Sequence, residues 1–290
     1  MPDNDDFDWV KQTLRATFPY LVFILTFILG SVIVVLWANA EEPEPQDGAL
    51  RVFPRAHSHN DYFRDRPLVD ALELGFCSVE ADIYLVKGAL LVAHDRDKVV
   101  AEKTLEALYL EPMWARFQDQ GHVQPQPVTL LIDIKNEGAT TYTALHQVLQ
   151  NYAPMLTHFG PNSNKTGAVT VIISGDRAVD TILASAPRLA GIDGRLSDLG
   201  GSYTSDQMPL ISDNWMKHFT WRGKGEFSEA EAKKLQEVVS QAHEKGMRVR
   251  FWATPQREEI WQVLFDAGVD LLNADNLPRL QELLLKQPVE

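Results

Sequence analysis

From residue 51 onward, the chain alternates short, apolar, β-rich runs with segments of helical pattern. The clearest helix is predicted at 228–246, where Ser228 and Glu231 match a capping box and Gly246 predicts the helix end. Its apolar face is formed by Leu235, Val238, Val239 and Ala242. The β-rich runs lie at 52–57, 78–86, 128–135, 168–174, 189–193, 208–212, 247–253 and 269–274. Eight such runs separated by helices predict an α/β fold, a (β/α)8 TIM barrel over 51–290.

A different pattern precedes this region. The stretch "FPYLVFILTFILGSVIVVLW" (18–37) contains 20 residues and no charge. At a rise of about 1.5 Å per residue, a helix of this length spans the ~30 Å hydrocarbon core of a bilayer. The sequence therefore predicts an N-terminal segment at 1–17, one transmembrane helix at 18–37 and an extended linker at 38–50.

The charges beside this stretch predict its orientation. Lys11 and Arg15 precede it, whereas three glutamates follow it within the next seven residues. Because positively charged flanks stay in the cytoplasm, we expect 1–17 to be cytoplasmic and the barrel to be extracytoplasmic. An alternative remains open. The small residues "ANA" at 38–40 resemble a signal-peptide cleavage site, so cleavage near Ala40 would give a secreted protein.

The overall charge of the chain argues against one class of function. The formal net charge is −13, and no basic stripe with interleaved aromatics is present, which argues against nucleic-acid binding. An acidic protein that handles phosphate needs locally placed cations or a metal. The single cysteine, Cys77, excludes an internal disulfide and fits a buried apolar position.

Strand periodicity assigns polar residues to the barrel interior. In "SVEADIYLV" (78–86), Glu80, Asp82 and Tyr84 share the face opposite a row of apolar side chains. Two carboxylates inside a barrel are costly unless they are paired or bind a cation. The run "VTLLIDIKN" (128–136) likewise turns Asp133 and Lys135 inward.

Several of these polar residues fall near the carboxyl ends of strands, where barrel active sites are built. In "DLLNADN" (270–276), Asn273 and Asp275 share one face. Each residue taken alone also has a purely structural interpretation. Glu-x-Asp suits a solvated strand, and Asp133 could form an internal salt bridge with Lys135. His57 could be a core histidine, His94 a strand-end cap, and His59, Asn60 and Asp61 a turn. The order His, Glu-x-Asp, His-Asp, Asp-x-Lys favours a site.

That order resembles the glycerophosphodiester phosphodiesterase and phosphatidylinositol-phospholipase C-like superfamily. In the phosphodiesterases of this superfamily, a histidine ends the first strand, the second strand carries Glu-x-Asp, and His-Asp follows a glycine turn. The matching residues here are His57, Glu80, Asp82 and the pair His94-Asp95.

Other motifs narrow the resemblance. The pair Asp133-x-Lys135 is similar to the spider sphingomyelinase D branch, and 248–276 is similar to the last two strands of both branches. The motifs "HSHNDY" (57–62) and "SVEAD" (78–82) most resemble the altered inheritance of mitochondria protein 6 group. The resemblance covers roughly 51–285 and implies a TIM-barrel phosphoric diester hydrolase.

The resemblance also implies a mechanism. Glu80, Asp82 and Asp133 would hold one divalent ion, and oxygen ligands favour Mg²⁺, with Ca²⁺ possible. His57 and His94 would divide the acid–base work on the phosphodiester or phospholipid-derived substrate.

The remaining candidates would support this machinery. Asp95 would orient His94, Asn60 would hold the ligand shell with support from His59, and Lys135 would add positive charge at the phosphate. Trp252 would stack on a headgroup or fill the barrel, and Asn273 and Asp275 would line the same mouth.

The chain also departs from the phosphodiesterase pattern. His-Ser-His replaces His-Arg-Gly at 57–59, and Asp133 replaces the usual glutamate. Because of these changes, the sequence does not determine which headgroup is recognised or which bond is cleaved. Two alternatives to the hydrolase remain: an inactive, membrane-anchored module that binds phospholipid headgroups, and a metal-independent phospholipase C-type lyase.

Overall fold

The computed structural model describes residues 51–160 and 165–288, and within these ranges it forms a nine-stranded sheet. The strands are β1 (Phe53–Ser58), β2 (Phe76–Val86), β3 (Ala89–Val92), β4 (Val128–Ile134), β5 (Val169–Gly175), β6 (Ala190–Gly194), β7 (Leu210–Asn214), β8 (Arg248–Trp252) and β9 (Leu272–Ala274). All eight β-rich runs identified in the sequence form strands. The ninth strand, β3, pairs antiparallel with β2 through a turn at Lys87 and Gly88, which have φ angles of +51° and +84°.

The other eight strands are parallel and follow the order β8-β7-β6-β5-β4-β2-β1-β9. A parallel bridge between Arg250 and Leu271 links β8 to the residue before β9. This bridge brings the two ends of the sheet together, and the (β/α)8 TIM barrel is confirmed.

Helices connect successive strands of this barrel. They are α1 (Val69–Glu73), α2 (Glu111–Gln120), α3 (Gly138–Gln150), α4 (Val179–Ala184), α5 (Trp215–His218), α6 (Glu229–Glu244), α7 (Glu258–Asp266) and α8 (Leu277–Leu285). At the start of α6, Ser228 Oγ accepts a hydrogen bond from Glu231 N at 3.3 Å. The Glu231 carboxylate instead accepts from the backbone N–H of Thr220. The predicted capping box is therefore only half formed.

The barrel interior changes character along its axis. Leu131, Ile172, Leu210 and Leu271 form a separate apolar cluster inside the barrel. Two residues further along β4, the inward-facing side chain is Asp133, next to Ser174 of β5 in the strand pairing. The interior is thus apolar in the middle and polar at the carboxyl ends of the strands, which form the mouth of the barrel.

The predicted transmembrane helix (18–37) and linker (38–50) lie outside the described residues. Within the described part of the chain, no helix has both the length and the apolar character needed to cross a bilayer.

Candidate active site

Asp82 is the centre of the polar cluster at the barrel mouth, and its side chain is fully buried. Its Oδ2 atom accepts hydrogen bonds from Tyr62 Oη at 2.7 Å, Lys135 Nζ at 2.9 Å and His94 Nδ1 at 3.0 Å. Its Oδ1 atom is also buried, yet it has no hydrogen-bond partner among the described residues. Because a buried carboxylate oxygen without a partner is costly, a ligand bound at this atom would be stabilising.

Two further carboxylates lie beside Asp82. Glu80, Asp82 and Asp133 each present a carboxylate oxygen, and these atoms all lie within 4.8 Å of one another. The register of the sheet explains the proximity, because Asp82 of β2 pairs directly with Asp133 of β4. Gly175 leaves room for Asp133. Its φ angle is +72°, and a Cβ at this position would collide with Asp133 Oδ1.

Two cations partly compensate these three carboxylates. Lys135 Nζ lies 2.9 Å from Asp82 Oδ2 and 3.1 Å from Asp133 Oδ1. Arg250 Nη2 lies 2.6 Å from Glu80 Oε2. With every carboxylate ionised, one negative charge remains uncompensated. A cluster of oxygen ligands with an orphaned buried oxygen and a residual negative charge fits a hard divalent cation.

The pKa values follow from this crowding. Burial and the neighbouring charge of Glu80 raise the pKa of Asp82, although Lys135 acts in the opposite direction. Burial also raises the pKa of Asp133 to about 6. Burial disfavours the charged form of Lys135, but Asp133 and Asp82 outweigh this effect and raise its pKa. The raised pKa values of Asp82 and Asp133 therefore favour protonation of these two carboxyls over that of Glu80, whose pKa is lowered.

His57 lies in the deepest part of the site, and its side chain is fully buried. Its Nδ1 lies 2.7 Å from Ser78 Oγ, and its Nε2 lies 3.2 Å from Glu80 Oε2. Burial, assisted by the charge of Arg250, lowers the pKa of His57 to about 4. The neutral ring satisfies both contacts when Nε2–H donates to Glu80 and Nδ1 accepts from Ser78. Both nitrogens are then engaged within the protein.

Glu80 remains ionised in these surroundings. Although burial alone would raise the pKa of Glu80, the guanidinium of Arg250 and the hydrogen bond with His57 hold it well below its usual range. Arg250 Nε in turn donates to Asn273 Oδ1 at 2.7 Å. The predicted residue Asn273 thus holds Arg250, which holds Glu80.

His94 follows β3 and is half exposed, with a side-chain exposure of 48%. Its Nδ1 lies 3.0 Å from Asp82 Oδ2 and 3.1 Å from Tyr62 Oη. Asp82 and Tyr62 therefore orient this ring, whereas Asp95 is exposed and caps a short 3₁₀ turn at Arg96–Lys98 through its backbone. The Nε2 atom of His94 makes no hydrogen bond with the described part of the chain.

The segment "HSHNDY" is held by a buried aspartate. Asp61 Oδ1 accepts from Ser58 Oγ at 2.7 Å, and its Oδ2 accepts from Leu68 N at 2.5 Å and Tyr109 Oη at 3.1 Å. Between them, Asn60 adopts a left-handed conformation with φ at +47°. Its Oδ1 lies 2.8 Å from Tyr62 Oη. Asn60 therefore contacts Asp82 through Tyr62.

His59 lies just past β1 at the same mouth. Its Nδ1 lies 2.7 Å from Asp275 Oδ1, and its backbone N–H donates to Ala274 O at 3.1 Å. The hydrogen bond from His59 lowers the pKa of Asp275. The last predicted candidate, Trp252, is half buried at the end of β8 and shares the inward parity of Arg250.

Sequence reasoning missed three residues of this site, Tyr62, Ser78 and Arg250, and it considered Asp61 only as a turn residue. Strand parity could have found Arg250, because it lies two residues before Trp252 on the same face of β8. The same rule places Ser78 on the face of Glu80. Tyr62 and Asp61 belong to a turn, where no periodicity indicates direction.

Comparison with known proteins assigns the family. A model of the AIM6-like phosphodiesterase domain matches residues 50–189. The altered inheritance of mitochondria protein 6 homolog of Arthroderma benhamiae is 31% identical over 267 residues, covering 80% of this chain and 85% of that protein. This chain belongs to the altered inheritance of mitochondria protein 6 family. A second member, from Eremothecium gossypii, is 30% identical over 299 residues, covering 87% of this chain and 76% of that protein.

Solved structures similar to this family member share its fold. A glycerophosphodiester phosphodiesterase from Agrobacterium tumefaciens matches with a TM-score of 0.51 and 13% identity, covering 79% of this chain and 100% of that structure. A glycerophosphodiester phosphodiesterase from Parabacteroides distasonis matches with a TM-score of 0.50 and 14% identity, covering 80% and 96%. The resemblance drawn from the motifs is confirmed for the family, and the chain carries a phosphodiesterase-type barrel.

Proposed function

We propose that this protein is a metal-dependent phosphoric diester hydrolase. The observation that carries the proposal is the buried, unpartnered Asp82 Oδ1 inside a cluster of three carboxylates at the barrel mouth. A protein without a ligand there would retain a desolvated oxygen for no gain. The phosphodiesterase-type domain of the family supports the reaction class.

Glu80, Asp82 and Asp133 would hold the cation, and their oxygen-only set suits Mg²⁺ or Ca²⁺. When bound, such an ion supplies Lewis-acid stabilisation of charge on the phosphate. Arg250 is paired with Glu80, and Lys135 is paired with Asp82 and Asp133. Because 24% of its side chain is exposed, Lys135 would also contact a phosphate oxygen while it keeps these carboxylate contacts.

Two imidazoles would carry the acid–base work. His94 is held through Nδ1 by Asp82 and Tyr62 and keeps Nε2 available, so it can hand a proton to the leaving oxygen. The second imidazole would be His57, near the end of β1, whose Nε2 lies 3.2 Å from Glu80 Oε2, and His59 would support the loop that follows. Trp252 would contact the headgroup.

We further propose that residues 18–37 anchor the barrel in a membrane on the extracytoplasmic side and that the substrate is a glycerophosphodiester or a phospholipid headgroup. The uncharged stretch with Lys11 and Arg15 before it supports the anchor. Protease protection in intact cells tests the orientation. A protected barrel would contradict it, and a mature N-terminus at Glu41 would replace the anchor with a signal peptide.

The reaction is tested with the full chain and a panel of glycerophosphodiesters and phospholipids, with Mg²⁺, with Ca²⁺ and with EDTA. Phosphorus NMR follows the phosphomonoester that hydrolysis releases. We expect turnover of at least one diester that stops with EDTA and returns with Mg²⁺. Binding of a headgroup without turnover under any condition would favour the inactive binding module.

One contact supports a second candidate, a metal-independent lyase. Lys135 Nζ lies between Asp82 and Asp133, where a basic side chain could replace the metal. This candidate predicts turnover that persists with EDTA and gives a cyclic phosphate. The same NMR experiment separates the two, because cyclic and open phosphomonoesters have different shifts.

A further inference from the structure

We propose that Phe63 is a specificity-determining residue of this site, and that it selects a substrate whose leaving alcohol carries an apolar chain. The acylated glycerol of a phospholipid is such an alcohol. The inference rests on the proposed function and deepens it, because it favours an acylated phosphodiester over a water-soluble glycerophosphodiester. It also names the bond that breaks, which lies between phosphorus and the acylglycerol oxygen.

Phe63 is an exposed aromatic residue at the mouth of the barrel. It exposes 65% of its surface and is one of four large apolar residues that are exposed in the described part of the chain, with Val100, Met216 and Leu285. A single exposed apolar residue needs no explanation by itself. The position of Phe63 is what matters, because its ring lies against that of His94, with the ring centroids 6.0 Å apart and the planes inclined by 50°.

This contact places Phe63 beside the leaving group. In the proposed reaction His94 Nε2 gives a proton to the leaving oxygen, which must therefore come within about 2.6–3.2 Å of that nitrogen. The imidazole is fixed through Nδ1, which lies 3.0 Å from Asp82 Oδ2 and 3.1 Å from Tyr62 Oη. An alkyl chain that continues from the leaving oxygen toward solvent can therefore lie along the Phe63 ring.

The turn that carries Phe63 is held in place. In the 3₁₀ turn Asp61–Phe63, the backbone N–H of Phe63 donates to Asn60 O at 3.0 Å. Asp61 is buried and accepts a hydrogen bond from Leu68 N at 2.5 Å. The Tyr62 ring packs against Phe63 with centroids 4.8 Å apart. A surface that is already ordered loses little conformational entropy when a ligand binds.

The chemistry of this contact favours an apolar chain. Methylene groups on the Phe63 ring remove apolar surface from water on both sides. A small polar alcohol would instead lose hydration against a ring that offers no ordinary hydrogen-bond partner. A leaving alcohol with an ammonium group would bring its positive charge next to His94, which must carry a proton to act as the acid, and like charges repel.

The step that follows from this binding mode balances with water. The water oxygen bonds to phosphorus, and one of its protons passes to the second imidazole of the proposed reaction. The bond between phosphorus and the acylglycerol oxygen breaks, and that oxygen takes a proton from His94. The products are the phosphomonoester of the headgroup and an acylglycerol, and both imidazoles recover their starting states by proton exchange with solvent.

Steady-state kinetics on two substrates tests the contact. One is a glycerophosphodiester with a headgroup that the wild-type chain hydrolyses, and the other is its hexanoyl ester, kept below its critical micelle concentration. We expect the wild type to prefer the ester in kcat/KM and Phe63→Ser to reduce this preference by about tenfold or more, since one methylene in an apolar pocket is worth about 10–200-fold. Phe63→Leu should retain most of the preference, because its side chain is also apolar.

Leu285→Ser provides the matched control. Leu285 is 50% exposed at the end of α8. Its carbonyl oxygen lies 3.2 Å from Nη1 of Arg51, which precedes β1 at the end of the barrel opposite His94. We expect Leu285→Ser to leave kcat/KM unchanged for both substrates.

Phosphorus NMR of the products tests the bond that breaks. We expect the hexanoyl ester to give the phosphomonoester of the headgroup. Release of the free headgroup alcohol with hexanoylglycerol phosphate would overturn the assignment, because the apolar chain would then be on the retained side.

Binding of hexanoylglycerol, the expected product alcohol, gives a readout that does not depend on turnover. Proton NMR should show the ligand shifting the His94 resonances of the wild type, with an affinity about tenfold lower in Phe63→Ser. This result in a chain that hydrolyses no diester would overturn the proposed function and support the contact. An unchanged preference in Phe63→Ser would overturn the contact alone. An effect seen only with phospholipid vesicles would also overturn it, since Phe63 would then contact the membrane surface.

Discussion

Arg250 Nη2 lies 2.6 Å from Glu80 Oε2, and this buried ion pair joins β8 to β2, two strands that are not neighbours in the barrel. The exposed fractions of the two side chains are 3% and 7%. Arg250 Nε also donates a hydrogen bond to Asn273 Oδ1 of β9, the strand that pairs with β1. The ion pair therefore keeps Glu80 ionised inside the barrel, where His57 Nε2 contacts the same oxygen, Oε2.

Removing one member of this pair should be costly. Arg250→Met leaves the Glu80 charge buried and unpaired, so we expect the free energy of unfolding to fall by about 3–5 kcal/mol. Urea denaturation measures the change. The double variant Arg250→Met with Glu80→Gln should recover much of the loss, because no unpaired charge remains. Two effects that simply add would contradict the pairing.

Asp82 should dominate cation binding. Asp82→Asn replaces a carboxylate that presents the unpartnered oxygen, and we expect it to weaken Mg²⁺ binding by more than the ~10–100-fold that loss of a second-layer partner costs. Calorimetric titration measures the affinity. Asp97→Asn provides the matched control, since Asp97 is exposed and, in the described part of the chain, forms an ion pair with its neighbour Lys98. Equal affinities in the two variants would rule out this ligand set.

Tyr62 should affect both stability and turnover. Tyr62→Phe removes the hydroxyl that lies 2.7 Å from Asp82 Oδ2 and 3.1 Å from His94 Nδ1. Losing a partner of a buried carboxylate costs about 1–3 kcal/mol, and a less restrained His94 should lower kcat.

Tyr142→Phe is the comparison for this effect, because Tyr142 Oη contacts Ser185 Oγ at 3.1 Å, outside the polar cluster. It should reduce the free energy of unfolding without changing kcat. A Tyr62→Phe enzyme with the kcat of wild type would show that Asp82 alone orients His94.

Cation binding should depend on pH through Asp133. Burial raises the pKa of this carboxyl to about 6, so below pH 6 a proton must leave before the cation can bind. We expect the apparent affinity for Mg²⁺ to rise from pH 5 to pH 6, by up to about tenfold per proton released and per pH unit, and to flatten above pH 6.

Calorimetry in buffers of different ionisation enthalpy should detect the released proton. Asp133→Asn has no proton to release at this position and should lose the part of the slope near pH 6. A wild-type affinity that is constant between pH 5 and pH 7 would contradict the raised pKa.

The sequence alone determined the barrel and most of its polar layer, because both follow from local periodicity. Eight apolar runs became eight parallel strands, and strand parity placed Glu80, Asp82 and Asp133 on inward faces that the register then brought together. The family motifs identified the same residues. The boundaries of α6 were also predictable, since Ser228 and Gly246 act on their own neighbours.

Only the tertiary structure decided which side chains meet. Arg250 and Glu80 are 170 positions apart, and their contact depends on barrel closure, which no local pattern encodes. The contrast between His57 and His59 has the same origin. Both residues have the same strand parity, but Ser78 and Glu80 enclose the first, whereas Asp275 holds the second at the surface. Burial and long-range hydrogen bonds, which set the properties of each imidazole, exist only once the chain has folded.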